Sequence, residues 1–264
     1  MESRLGSLSL LSVETPSLQK RSIAEIIKED NVRAHVLFYF GIRFYEYFDK
    51  TLEDVCQSHG LNVKQVVEGL EAPDRVNAEE NLPLVTYPVD LIIEYLKHAH
   101  LLFIKNKLPY ISKLVESFQP ELEAFESIAK DLKTLFPLFL DDFIHHIYLE
   151  EDTLFRYILL LNSADRGDCN PAKLYYMMEN NSLRNFASEH EKHDDEMEGI
   201  RKITHDYRVD ESTPLHVKVI YSELIGLEKS LQTHARVENE ILFPKAMALE
   251  NQVKNRLMEK VKLN

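Results

Sequence analysis

Tryptophan is absent from this 264-residue chain, glycine occurs only seven times, and the two cysteines, Cys56 and Cys169, stand far apart. So few glycines leave little material for tight hairpins and bulges, which argues against a many-stranded sandwich or barrel. Two thiols without paired spacing exclude a disulfide framework and a zinc ribbon, and they fit a reducing compartment. Long apolar runs are missing too. No stretch reaches the roughly eighteen uninterrupted apolar residues of a membrane span. Residues 1–20 contain only the short run Leu8 to Leu11, without a basic region before it, so no secretory signal is expected. Positive charge is scarce: 31 Lys and Arg against 44 Asp and Glu leave a net charge of −13. That balance disfavours nucleic acid and anionic membrane surfaces as partners. With 44% hydrophobic and 28% charged residues, the composition predicts a cytoplasmic, globular, mostly helical chain.

What is present is helical periodicity in two blocks. Residues 1–18, rich in Ser and Leu without a period, read as a flexible arm. Residues 19–71 read as a small helical domain of four short helices. Ser22 with Glu25 makes a capping box ahead of Ile23, Ile26 and Ile27. Gly41 and Gly60 serve as helix stops, and Thr51 and Asn62 as caps. Residues 72–88, with Pro73, Pro83 and Pro88, read as a linker. Beyond it the pattern predicts long helices over 89–117, 121–162, 182–206 and 214–250, then a C-terminal tail, 251–264. Pro109, Pro137 and Pro244 are expected to kink or end these helices. Four long amphipathic helices with short connections predict an all-α fold, an antiparallel four-helix bundle over 89–250 preceded by the small domain.

The chemistry lies in the histidines. His100, His146, His190 and His234 fall one on each long helix, and each sits in that helix's apolar stripe. On two helices the histidine is followed by a carboxylate one turn on: His146-x3-Glu150-x3-Leu154-Phe155 and His234-x3-Glu238-x3-Leu242-Phe243. At i and i+4 the imidazole and carboxylate share one helical face. A buried carboxylate is destabilising without a cation, and two in one core are more so. Imidazole with carboxylate and no thiolate suits iron or manganese better than structural zinc. If both glutamates bridge two ions, each ion gains two histidines and two carboxylate oxygens, and a solvent-derived bridge leaves one position open. A lone histidine on an apolar face is commonly a satisfied core residue; the duplicated motif is what favours ligation. Ferritin-like sites use Glu-x-x-His spacing, which is not found here. His98, His145, His205 and His216 have weaker claims, and His98 is the fallback for His100. His193, three residues after His190 on the inner face, is a candidate for support of the ligands or an alternate ligand, and Glu151, Asp152 and Glu189 for the solvated face or for support of the ligands.

These residues carry a family resemblance. Segment 88–250 resembles a hemerythrin-like (HHE cation-binding) domain, and in detail the RIC group, the "repair of iron centres" proteins. The matching stretches are Glu94 to His100 with Leu108-Pro109, His146-x3-Glu150-Glu151 with Leu154-Phe155, Ser188-Glu189-His190, and His234-x3-Glu238 with Leu242-Phe243-Pro244. Oxygen-carrying hemerythrins have a second histidine four residues along the third helix, where this chain has Asp194. The stretches Ser22 to Ile27, Phe40 to Ile42, Lys50 to Cys56 and Gly60-Leu61 resemble the small ScdA-type domain that precedes the bundle in RIC proteins. That domain normally carries a Cys-Cys-Gly-Gly run; here Tyr45, Glu46, Tyr47 and Phe48 stand in its place.

The resemblance implies a non-haem di-iron protein acting in nitrosative or oxidative stress. Glu150 and Glu238 would bridge, and His100, His146, His190 and His234 would be terminal ligands. Nitric oxide or dioxygen would be the small ligands, damaged iron–sulfur proteins the macromolecular partners, and donated iron a further product. Without the cysteine pair, a di-iron sensor or store that binds the diatomic without turnover is the alternative. The apolar and aromatic run Val36 to Phe48 would be buried either against the bundle or in a homodimer.

Overall fold

The computed structural model describes residues 17–71, 84–120, 122–180, 182–192 and 195–262. The chain is all-helical; among the described residues the only strand-like pairing is an isolated antiparallel bridge between Ser22 and Thr51. It divides into two compact units, Met1–Pro73 and Asp74–Asn264. No described helix is long and apolar enough to cross a membrane. Residues 1–16 of the arm and 72–83 of the linker lie outside the described residues.

The first unit holds α1 (Ile23–Glu29), α2 (Arg33–Tyr39), α3 (Leu52–Ser58) and α4 (Val63–Glu71). Their starts are set by side chains that satisfy free backbone donors. Ser22 Oγ accepts from the Glu25 N–H and Glu25 returns a carboxylate to the Ser22 N–H, at 3.2 and 3.0 Å. Thr51 Oγ1 accepts from the Asp54 N–H at 3.2 Å. Gly41 and Gly60 follow α2 and α3 at φ 79° and 66°, a left-handed conformation that favours glycine. Ile23, Ile26, Ile27, Leu37, Leu52 and Val55 make the core. Cys56 is buried among them and burial pushes its thiol pKa up, so it behaves as a small hydrophobe.

In the second unit three long helices each pass through a π-helical segment. Helix α5 (Val89–Leu102) continues through Phe103–Lys107 into α6 (Leu108–Glu116), and α7 (Glu126–Leu149) through Glu150–Phe155 into α8 (Arg156–Asp165). After α9 (Pro171–Asn180), α10 (Leu183–Lys192) and α11 (Glu198–Ile203), α12 (Leu215–Val237) passes through Glu238–Leu242 into α13 (Phe243–Lys262). The causes are local. Pro109 and Pro244 lack the N–H that would close the preceding α turn. The Leu108 and Phe243 N–H groups instead reach back five residues to the Phe103 and Glu238 carbonyls. In α7 the Thr153 hydroxyl takes the Leu149 carbonyl at 2.5 Å, competing with the regular ladder. Such segments recur at functional sites because they re-aim side chains within a helix.

Helix α8 packs on α5 and α13, α6 on α7 and α12, α11 on α7, and α10 on α13. Ile92, Ile93, Leu96, Phe155, Ile158 and Leu161 are buried in the resulting core, each contributing about 1.5–3 kcal/mol. Three elements depart from the sequence reading. The third helix is divided into α10 and α11, because the acid-rich stretch Glu189 to Glu198 has too few apolar residues to continue the stripe. The tail, 251–264, is helical through Lys262, because Leu249, Val253 and Leu257 extend the stripe into the core. Pro137 neither ends nor divides α7; it is exposed, as is Lys133 one turn back, so water can serve the freed carbonyl.

After α11, His205, Asp206 and Tyr207 all take left-handed φ values of 53°, 59° and 56°. Each such non-glycine residue costs about 1–2 kcal/mol, offset here by burying Tyr207 against Tyr221 at 5.9 Å between ring centroids. His205 is exposed, so His205→Gly should relieve strain without losing packing. We expect a gain of about 0.5–1 kcal/mol in urea unfolding, once glycine's extra chain entropy is subtracted. A loss of stability would show that the turn is unstrained.

Candidate metal centre

Helix α5 contributes His100, α7 His146 and α10 His190, while α12 contributes His234. Glu150 and Glu238 each open a π segment. Their donor atoms form two groups within 4.8 Å: His100, Glu150, His234 and Glu238 in one, His146, Glu150 and His190 in the other. Glu150 belongs to both. Its Oε2 stands 3.5 Å from His100 Nε2, while its Oε1 stands 3.1 Å from His146 Nε2 and 3.3 Å from His190 Nε2. Glu238 divides its oxygens in the same way, Oε1 at 3.4 Å from His234 Nε2 and Oε2 at 2.9 Å from His190 Nε2. His100 Nε2 and His234 Nε2 face each other at 3.1 Å.

These separations match a coordination shell. Donors bound about 2.1 Å from one cation at right or tetrahedral angles lie about 3.0–3.4 Å apart. All four glutamate oxygens are buried and none makes an aligned hydrogen bond, although ring nitrogens are close. The donor atoms therefore converge on shared points rather than on one another. Buried carboxylates left so are destabilising, and a pair of divalent cations between the histidine pairs would satisfy them. The residues present fit two metal ions with nitrogen and oxygen ligands.

The electrostatics agree. Burial works against the Glu150 charge, yet His100, His146 and His190 hold its pKa well below the usual carboxylate range. Glu238 is lowered against burial chiefly by His234, with Glu150 opposing. Burial pulls His190 down, but the two glutamates outweigh it and push it up to about 10. His146 and His234 are raised in the same way, against burial.

Neighbouring side chains hold these candidate donors in place. Glu151 Oε1 accepts from His100 Nδ1 at 2.8 Å, which turns Nε2 toward the cluster. Phe155 stacks on the His100 ring at 5.7 Å and 7°, and Phe243 meets the His190 ring edge-on at 5.7 Å. The phenylalanine closing each duplicated motif thus packs on a histidine from another helix. His193 and the Glu189 side chain lie outside the described residues.

His98, His145 and His205 are exposed, and Asp152 too is exposed. His216 lies beside Ser117 and Phe118, with burial pulling its pKa down to about 4. The sequence reading missed Glu196. This carboxylate lines a cavity of about 500 Å³ together with His146, His190, His234 and Glu238. Burial pushes its pKa up, His146 opposes and Glu150 reinforces the shift. The signal was weak: an acid in a charged stretch, six residues after His190 and outside any stripe.

No protein-family profile matches the chain. Among curated proteins it is similar to "Iron-sulfur cluster repair protein ScdA" of Staphylococcus haemolyticus (strain JCSC1435), with 18% identity over 228 residues, 84% of this chain and 96% of that protein. It is also similar to the protein of that name from Staphylococcus epidermidis (strain ATCC 35984), with 24% identity over 161 residues, 60% of this chain and 66% of that protein.

Proposed function

We propose that this chain is a non-haem di-iron protein of the iron–sulfur cluster repair (RIC) type, with a hemerythrin-like four-helix bundle built on the long helices. It acts in nitrosative and oxidative stress by binding or reducing nitric oxide or dioxygen, or by donating iron to damaged iron–sulfur proteins. One observation carries the reading: Glu150 and Glu238 each direct one oxygen to each of two histidine pairs. The names of the distant relatives support the repair role. Two irons held there would supply one-electron redox change and open positions for a diatomic ligand. His100 and His234 would hold one ion and His146 and His190 the other, with Glu150 and Glu238 each offering a carboxylate oxygen to both. Glu151 keeps the His100 proton on Nδ1. Phe143, Met197 and Leu231 give the adjoining cavity part of its wall, and Asp195, Glu196 and Arg201 line it beside them.

A second reading, a sensor or store that binds the diatomic without turnover, is favoured by the replacement of the cysteine pair with Tyr45 to Phe48. Metal content and visible spectrum of fresh protein, before and after anaerobic reduction and nitric oxide addition, test both. We expect two irons per chain, an oxo-bridged ferric spectrum and a nitrosyl change. Turnover with a reductant selects reduction, and a persistent nitrosyl selects sensing. A chain that binds no metal after anaerobic ferrous reconstitution is a helical interaction protein instead.

A further inference from the structure

We propose that the acid-lined cleft between α7 and α11 is the uptake route for the divalent cations, and that Glu196 is a transit ligand handing each ion to His146 and His190. The proposal rests on the two-ion reading and adds the path by which the site is filled.

Two cavities adjoin at this cleft. The outer one, about 660 Å³, is lined by Leu135, Leu138 and Asp142 on the α7 side and by Glu198 and Ile200 on the other. The inner one, about 500 Å³, reaches His190, His234 and Glu238. Phe143, His146, Asp195 and Glu196 border both, so the two spaces form one path. His146 is the ligand nearest solvent: its side chain is 31% exposed, against 11% for His190 and 8% for His234.

The charges along the path are not equivalent. Asp195 is matched by Arg201, which also bonds Glu228. Glu198 pairs with Lys202 at 2.6 Å. Among the described residues, Asp142 and Glu196 are the carboxylates on this path outside the donor cluster for which no lysine or arginine partner is found. At the inner end waits Glu238, fully buried, with both oxygens lacking an aligned hydrogen bond. Carboxylate at the mouth, carboxylate midway and unsatisfied carboxylate at the end make a graded path for a cation.

Two other cavities among the described residues reach the donors. One, of about 200 Å³, borders His146, Glu150 and His190 among Leu149, Leu154, Phe186 and Phe243, with no charged side chain beyond the donors themselves to draw a cation in. The second has the opposite character to the cleft. Between α5 and α12 a cavity of about 30 Å³ reaches His234 past Tyr95, Lys107 and Ser230, and the Lys107 ammonium bonds the Ser230 hydroxyl there. That volume is about one water molecule's share of the liquid. A cation carrying its hydration shell is excluded by size and repelled by the ammonium. Glu196 belongs to neither ligand group, so its contribution is to the rate of filling and not to the final complex.

The test is stopped-flow uptake of cobalt(II), followed by its visible absorption, into full-length protein stripped with a chelator. Glu196→Gln should slow uptake at least about tenfold and flatten its dependence on ionic strength, while the final stoichiometry stays at two. Asp142→Asn, an exposed change, should slow uptake to a lesser degree, and Lys107→Met should leave it unchanged. Uptake by Glu196→Gln and Asp142→Asn at the unaltered rate would overturn the route. A Glu196→Gln protein that binds fewer than two ions at equilibrium would overturn transit in favour of a resident ligand. A stripped, unsubstituted chain that takes up no cobalt overturns the two-ion reading itself, which separates that failure from failure of the route.

Discussion

Glu150→Ala is expected to lose the ion at His146 and His190, whereas Glu238→Ala should keep an ion there and lose the one at His100 and His234. Both carboxylates reach both histidine pairs, but their places differ. Glu150 belongs to both groups of convergent donors, while His146, Glu150 and His190 form the second group without Glu238. Removing Glu150 therefore leaves His100 and His234 grouped with Glu238, and His146 and His190 with only the Glu238 oxygen that stands 2.9 Å from His190. Glu151→Ala supplies the contrast. It removes only the acceptor that orients His100, so both ions should still bind, with one weakened about 10–100-fold. Metal per chain after anaerobic ferrous loading and gel filtration checks all three. We expect one for Glu150→Ala, one for Glu238→Ala and two for Glu151→Ala when ferrous ion is in excess. Two tightly held ions in Glu150→Ala would show that the bridging assignment is wrong.

Cation binding should also be the largest single contribution to the stability of the second unit. The stripped site buries orphaned carboxylate oxygens, and a ligand that binds only the folded state stabilises it by mass action. At a thousandfold excess over its dissociation constant, one ion adds about 4 kcal/mol, or about 8–16 °C in Tm for a domain of this size. The shift should grow with pH. In the stripped protein His190 is pushed up to about 10 by its glutamates, so it holds a proton at neutral pH that an incoming cation must displace. Apparent affinity then rises about tenfold per unit rise in pH for each proton displaced. The stripped protein moves the other way. A histidine raised above its unfolded value stabilises fully below about 6.5, and that stability is lost as pH rises through about 10. Thermal melts with chelator and with ferrous ion at pH 6, 7 and 8 measure both effects. A metal-dependent shift that is flat or shrinks with rising pH would exclude proton displacement at His190. In Glu150→Ala/Glu238→Ala the shift should vanish.

How far the site could be read ahead of the fold differs residue by residue. The stripe on α5 placed His100 inward and His98 outward, and their burial follows that register. The i, i+4 pairs His146–Glu150 and His234–Glu238 needed only helical geometry. Pro109 and Pro244 were legible as perturbations, but the expectation was a kink or a stop, and each instead follows a π segment. The alternative was hidden because sequence shows the missing N–H and not where the freed carbonyl finds its next donor.

By itself the sequence determined what local rules govern: the capped starts of α1 and α3, the helical faces, and a histidine in the stripe of each long helix. Only the tertiary structure decided the rest. His100 meets Glu151 across 51 residues and His234 across 134; Phe155 stacks on a histidine from α5, and Phe243 packs on one from α10. Glu196 enters the site from a turn with no period. The physical reason is the range of the forces. Backbone hydrogen bonds and caps act within a turn, so spacing encodes them. Which carboxylate serves which imidazole depends on how the helices pack, and that follows from burial of the whole core.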